Sequence, residues 1–234
     1  MTAIEFSSEM TVKLVRSMAS DDMVVQAAQV SAKGENNPET VPLRLIQALM
    51  KGKHGSPFEH NAFTFFVEAP LFVFREWQRH RIGSFNEMSG RYTELPGKFY
   101  IPADNRNVIN SGTKMKPEFV DWGILQKNTV SSELKDLSRE AWASYKLMLN
   151  SDIANEVARM VLPLNIYSQM YWTVNARSLM NFLSLRGTQD DRPEEIRSYP
   201  QREIQMAAEE IEVLFDMAMP HTYHAFVENG RVAP

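Results

Sequence analysis

From Ile166 to Val174 the side chains alternate along the chain. Ile166, Ser168, Met170, Trp172 and Val174 fall on one face, and Tyr167, Gln169, Tyr171 and Thr173 on the other. A period of two is that of a strand. Val12 and Leu14 alternate with Lys13 as a short opening strand, and Ala62 to Glu68, rich in Phe and Val, reads as another. The remaining apolar pattern is helical. Asp21 caps an apolar stretch through Val30 that ends near Ser31. Thr40 and Pro42 start a helix with Leu43, Ile46 and Leu49 on one face, which Gly52 stops. Pro70 fits the first turn of a helix from Leu71 to Arg79. Pro117 opens a long helical region to about Asn150, with Leu134, Leu137, Ala141, Tyr145 and Met148 as its core stripe. A helix from Asp152 to Leu162 follows, closed by Pro163. Asn175 is a natural N-cap where the long strand turns into a helix that ends at Arg186, before Gly187. Ser198 and Pro200 start the last long helix, which turns Ile204, Ala208, Ile211 and Phe215 to the core.

Between these elements lie loops at Lys33 to Glu39, His54 to His60 and Gly187 to Pro193, and an aperiodic, Asn-rich surface excursion from Pro102 to Lys116. No repeat, low-complexity segment or linker interrupts the pattern. The expectation is a single α+β domain over residues 1–234, a small, mostly antiparallel sheet packed against long helices. A chain of 234 residues is long enough to bury a sizeable core.

Composition narrows the function. No apolar run approaches membrane-spanning length, and the first residues lack the basic and apolar regions of a secretory signal, so a cytoplasmic protein is expected. The net charge of −4 gives no general attraction to nucleic acid, so any anion site must be built locally from clustered arginines. The absence of cysteine excludes disulfides, thiolate metal ligands and a cysteine nucleophile. The five histidines are too scattered to suggest a metal site.

One stretch gathers the cations: Arg79-His80-Arg81-Ile82-Gly83-Ser84-Phe85-Asn86-Glu87-Met88-Ser89-Gly90-Arg91-Tyr92. Buried cations are costly unless paired with anions, so it is either a solvated basic turn or a receptor for phosphate-bearing ligands. Just before it, Glu76 and Arg79 are three apart, as a surface ion pair worth about 0.3–0.5 kcal/mol or as part of a ligand site. Arg177 and Asn181, four apart, share a helix face, and Glu156 and Arg159, three apart, can do the same. Arginine forks suit phosphates and carboxylates. Asn86, Asn175 and Asn181 can read amide edges such as those of a uracil or an isoalloxazine. Gly83 and Gly90 allow the backbone to approach a ligand closely. There is no Walker loop and no dinucleotide-binding glycine fingerprint.

Arg79-His80-Arg81, seven residues, then Ser89-Gly90-Arg91-Tyr92 resembles the signature of the flavin-dependent thymidylate synthases. His54-Gly55-Ser56-Pro57-Phe58-Glu59-His60 upstream and Asn175-Ala176-Arg177-Ser178-Leu179-Met180-Asn181-Phe182 downstream extend the likeness, which covers about Ser31 to Leu214. The resemblance implies the thymidylate synthase-complementing protein fold. It also implies a homotetramer with shared active sites that binds FAD and dUMP and takes electrons from NADPH. The carbon transferred to C5 of dUMP would come from methylenetetrahydrofolate. By the same resemblance, Ser31, Ser56, Glu59, Arg79, His80, Arg81, Ile82, Asn86, Glu87, Asn175, Arg177 and Asn181 would contact the flavin. Glu76, Gln78, Arg79, Glu87, Ser89, Gly90, Arg91, Arg159 and Arg186 would contact the nucleotide. Arg186 matches the residue thought to favour ionisation at N3 of the uracil, and His54 the histidine near the flavin and folate path. Ser89 is expected to bind and orient, because a serine without a positioned base is a poor nucleophile.

The chain also departs from the family pattern. Ser56 stands where many members have Thr, and Glu76 where some have Gln. Thr188 to Tyr199 looks like an insertion, and Ser198-Tyr199-Pro200-Gln201 replaces a His-Ala-Gln stretch. Two rival readings belong to other classes. One is a nucleic-acid-binding module that stacks bases on Phe85, Tyr92 and Trp77, and the acidic total charge argues against it. The other is a non-catalytic scaffold whose polar clusters hold subunits together.

Overall fold

The computed structural model describes residues 4–33, 43–121 and 123–234. These divide into two compact units. One comprises the described residues 4–10, 68–75, 87–121 and 123–170, and the other 11–33, 43–67, 76–86 and 171–234. Within the described residues the strands are β1 (Glu5–Ser7), β2 (Thr11–Met18), β3 (Ala62–Pro70), β4 (Ser84–Glu87), β5 (Lys98–Tyr100), β6 (Ile109–Asn110), β7 (Phe119–Val120) and β8 (Tyr167–Val174). The α-helices are α1 (Asp21–Lys33), α2 (Leu43–Lys51), α3 (Leu71–Trp77), α4 (Ile124–Asn150), α5 (Asn155–Ala158), α6 (Ala176–Arg186), α7 (Arg202–Ala218) and α8 (Pro220–Glu228). The sheet order β2-β3-β8-β4 is flanked in sequence by these helices, the expected mixed architecture. No described helix is long and apolar enough to cross a membrane.

In the second of these units, strand periodicity dictates the core. Phe63, Phe65 and Val67 of β3 alternate inward, as do Trp172 and Val174 of β8. Trp77 stands edge-on to Trp172 at 5.3 Å and stacks on Phe182 of α6 at 4.7 Å. Phe63 meets Phe215 of α7 edge-on at 5.7 Å. Ile204, Ala208, Ile211 and Phe215 are all fully buried, as the α7 pattern predicts. Fully burying one such side chain is worth roughly 1.5–3 kcal/mol, so this aromatic layer is a firm base for what α6 carries.

The first helix starts differently from expectation. Ser20 Oγ accepts the Met23 amide at 3.2 Å and caps α1. The Asp21 carboxylate turns away and accepts from the His221 and Thr222 amides at 3.0 and 2.9 Å and from the Thr222 hydroxyl at 2.6 Å. It caps α8, a helix that Pro220 opens and that no sequence signal before it announces. The expected starts at Thr40 and Pro42 lie outside the described residues. α3 stops at Trp77, so Arg79 sits in a turn beyond the helix and does not share a helical face with Glu76.

In the other unit, β1 runs parallel to β5, with Phe6 opposite Phe99. Phe99, Trp142, Tyr145 and Ile166 form its core. The inward face of α4 is Ser138, Trp142 and Tyr145, while Leu137 of the expected stripe is 57% exposed. Two contacts set this rotation. Trp142 lies against Gly97, where a Cβ would come within 2.9 Å of the indole, and Ser138 accepts a bond from the Asn165 carboxamide at 3.1 Å. α4 begins at Ile124, after the expected Pro117, because residues 109–120 form a hairpin of β6 and β7. The Asn110 carboxamide holds that hairpin by accepting the Gly112 and Glu118 amides, each at 3.0 Å, inside what reads as an aperiodic excursion. The expected helix from Asp152 to Leu162 is shorter: α5, then a 3-10 turn over Arg159–Val161.

Candidate active site

Arg186 closes α6 with its side chain only 21% exposed. Its Nη1 donates to Glu76 Oε2 at 2.9 Å and its Nε to His80 Nε2 at 3.2 Å. An imidazole nitrogen that accepts carries no proton, so the His80 proton resides on Nδ1. Burial pushes the His80 pKa down to about 4, and the Arg186 and Arg79 cations reinforce the shift. The ring also stands edge-on to Phe182 at 4.9 Å. Glu76 is shifted upward because burial outweighs the attraction of Arg186, and Glu203 adds repulsion. The result is a half-buried cation held from two sides by a carboxylate and a neutral imidazole.

A second cluster forms around Arg177 in the first turn of α6. Asn175 caps the helix by accepting the Ser178 amide at 2.9 Å, as its position predicts. Arg177 Nη1 donates to Glu59 Oε1 at 2.6 Å, its Nε donates to the Pro234 carbonyl at 2.8 Å, and its own carbonyl accepts from the Asn181 carboxamide at 3.2 Å. Any Cβ at Gly55 would strike this guanidinium, so glycine is what lets the loop before the Ser56–Glu59 turn lie against it. Ser56 and His54 are exposed beside it. Ser31 lies in α1, and its side chain is outside the described residues. Gly83 serves packing, since a Cβ there would reach Trp172 at 2.7 Å.

The basic signature divides along its length. Gln78, Arg79, Arg81 and Asn86 are exposed, and Ile82 is 72% exposed. Glu87, at the end of β4, begins the part that belongs to the other unit. There, the Ser89 hydroxyl accepts the Arg91 amide at 3.3 Å. Arg91 Nε donates to Glu156 at 3.0 Å, with both side chains 52% exposed. Glu156 is thus spent on a residue 65 positions away, and its expected alignment with Arg159 does not produce an ion pair. Gly90 is buried, and a Cβ on it would press on Leu95 and on the stem of Arg159, so Gly90 also serves packing.

The segment from Thr188 to Tyr199 is built onto the end of α6. The last helical carbonyls have no partner within a helix. Here Arg192 donates to the Ser184 carbonyl, Ser198 Oγ to that of Leu185 at 2.7 Å, and Gln189 Nε2 to that of Gly187 at 2.9 Å. Neither this cap, nor Asn61, which accepts the Ala176 amide at 2.7 Å, carries a local signal in the sequence. Both depend on contacts made across the fold.

Comparison with known proteins places the chain in a family. The family model described as thymidylate synthase complementing protein matches residues 13–221. A flavin-dependent thymidylate synthase of Streptomyces coelicolor is 50% identical, across 99% of this chain and 96% of the relative. One from Tropheryma whipplei is 48% identical, across 98% and 97%. Among solved structures, the UMP/dUMP methylase PolB from Streptomyces cacaoi, bound with 5-Br UMP, superposes with a TM-score of 0.92 at 43% identity, covering 99% of each chain. The same enzyme bound with 5-Br dUMP gives 0.92 at 44% identity. With the matched region running from β2 into α8, the chain belongs to the thymidylate synthase complementing protein family.

Proposed function

We propose that this chain, as a single domain over residues 1–234, is a flavin-dependent thymidylate synthase. It converts dUMP to dTMP with methylenetetrahydrofolate as carbon donor and NADPH as reductant of bound FAD. The observation that carries the proposal is Arg186. Two of its five N–H groups are spent on Glu76 and His80, and the other donors remain for an anion. A guanidinium fixed in this way stabilises negative charge developing on a uracil ring without reorganising. The neutral His80 presents its Nδ1–H as a donor, and Glu76 holds the fork in place.

The residues present also fit a flavin. Arg177 supplies a half-exposed guanidinium with Gly55 flat against it, and Asn181 adds a carboxamide. Arg79, Arg81 and Asn86 add exposed donors suited to phosphates. Bound FAD, once reduced, supplies the hydride. The chain has no cysteine to attack the ring. Ser89 Oγ is engaged by the Arg91 amide, which supports a binding and orienting role without a serine adduct. The exposure of Arg91 is compatible with a homotetramer in which it reaches the nucleotide of a neighbouring subunit.

Because the structural relatives are named UMP/dUMP methylases, ribonucleotide is the second substrate to weigh. Product analysis with dUMP and UMP side by side tests the reading. dTMP formed faster than methylated UMP supports it, the reverse reassigns the substrate, and methylation of neither overturns it.

A further inference from the structure

Behind Arg186 lies a buried polar knot. Glu212 of α7 is 6% exposed and Arg231 is 4% exposed. Glu212 Oε1 accepts the Thr188 amide at 2.8 Å, and Oε2 lies 3.3 Å from the Thr188 hydroxyl and 3.2 Å from Tyr223 Oη. Arg231 Nη1 is 2.9 Å from Glu212 Oε1, an ion pair without hydrogen-bond alignment, and Arg231 Nε donates to Asp191 at 2.7 Å. Ser184 Oγ ties the Arg231 carbonyl back to α6 at 2.7 Å. At Gly187 the carboxylate comes so close that any Cβ would collide with Oε1. A buried carboxylate is costly unless its lone pairs are used, and here the Thr188 amide and hydroxyl, two residues after Arg186, use them together with Tyr223 Oη.

We propose that Glu212 is a positioning residue for Arg186, holding the Gly187–Thr188 backbone so that the guanidinium stays between Glu76 and His80. Arg231 and Asp191 keep the Glu212 charge compensated. The catalytic consequence rests on the role proposed above for Arg186, but the placement of the guanidinium is independent of any substrate.

Two substitutions separate positioning from stability. Glu212→Asp keeps the charge opposite Arg231 but shortens the reach to Thr188. Glu212→Gln keeps an acceptor for the Thr188 amide but removes the charge, which leaves Arg231 with Asp191 alone. The probe is the His80 imidazole resonance followed against pH, assigned by its loss in His80→Gln. The charged groups that act on that ring are Arg186 and Arg79, with Glu76 bonded to Arg186 and Glu203 acting on Glu76.

In Glu212→Asp the His80 midpoint is expected to rise above about 4 as the guanidinium withdraws, while burial, the larger cause, still holds it below the ordinary value, and kcat for dUMP is expected to fall about ten- to a hundredfold. In Glu212→Gln the melting temperature is expected to fall further than in the Asp variant, while the His80 midpoint moves less. If the His80 midpoint of Glu212→Asp stays with the parent's, or if it follows melting temperature across both variants, the proposal is overturned. Should neither variant fold, Gly187→Ala, whose Cβ would collide with Glu212 Oε1, displaces the carboxylate from this turn while Glu212 and Arg231 both remain, and an unmoved midpoint there overturns it equally. A chain that methylates no nucleotide yet shows the His80 shift retires the function and keeps the positioning.

Discussion

Arg186 and Arg91 are both proposed nucleotide contacts, yet they sit in opposite physical circumstances. Arg186 is 21% exposed, held at two atoms and backed by an aromatic layer. Arg91 is 52% exposed, and its ion-pair partner Glu156 is equally exposed. Each belongs to a different unit. An ion pair in water contributes about 0–1 kcal/mol, whereas removing one member of a desolvated pair leaves the other charge uncompensated. The difference separates a charge fixed in advance from one that is free to be claimed by a ligand or a second copy of the chain.

The largest expected effect is at Arg186. Arg186→Ala loses a charge-assisted contact worth about 1.5–3 kcal/mol, or roughly ten- to more than a hundredfold in turnover. Flavin content, measured by absorbance at matched protein concentration, is expected to stay near the parent's. Equal losses in both would move Arg186 out of the nucleotide site. Next comes Ser89→Ala, which is expected to retain methylation with a raised KM for dUMP. A trapped nucleotide adduct on Ser89 would contradict that. Mixing Arg91→Ala chains with Arg186→Ala chains is expected to restore part of the activity once subunits exchange. No recovery despite exchange would end the shared-site reading.

How the sequence fared at these two arginines has a physical reason. Asn175 and the α7 stripe were legible because capping and burial are local, periodic properties. The partners of Arg186 were not, since Glu76 and His80 lie more than 100 positions away and meet it only through the fold. The alignment of Glu156 with Arg159 is as good a helical pair as any, but a more distant cation takes the carboxylate. On α4 the polar Ser138 belongs to the buried face because Asn165 needs it, which no apolar stripe can reveal. The Asp21 carboxylate shows the same limit: a residue of capping type whose capped helix is 200 positions away.

Smaller effects sharpen the contrast. The folded pKa of His80 lies below its unfolded value, so between pH 6.5 and about 4 the unfolded chain binds a proton that the native ring does not. Its contribution to stability is complete above pH 6.5 and is lost as pH falls through that window. Denaturant midpoints of the parent and His80→Gln are therefore expected to diverge least near pH 4 and most above pH 6.5. A pH-independent difference would place the ring in water. Smallest of all, Glu156→Ala is expected to change stability by less than about 1 kcal/mol, because the Arg91 pair is solvated. A larger loss would show that Arg91 is as fixed as Arg186.

The most direct test of the whole account is a single anaerobic experiment on the purified chain loaded with FAD. NADPH is expected to bleach the flavin band, and subsequent addition of dUMP with methylenetetrahydrofolate to restore it with formation of dTMP. A chain that binds no FAD at low salt, or whose reduced flavin is reoxidised without dTMP appearing, would contradict the account.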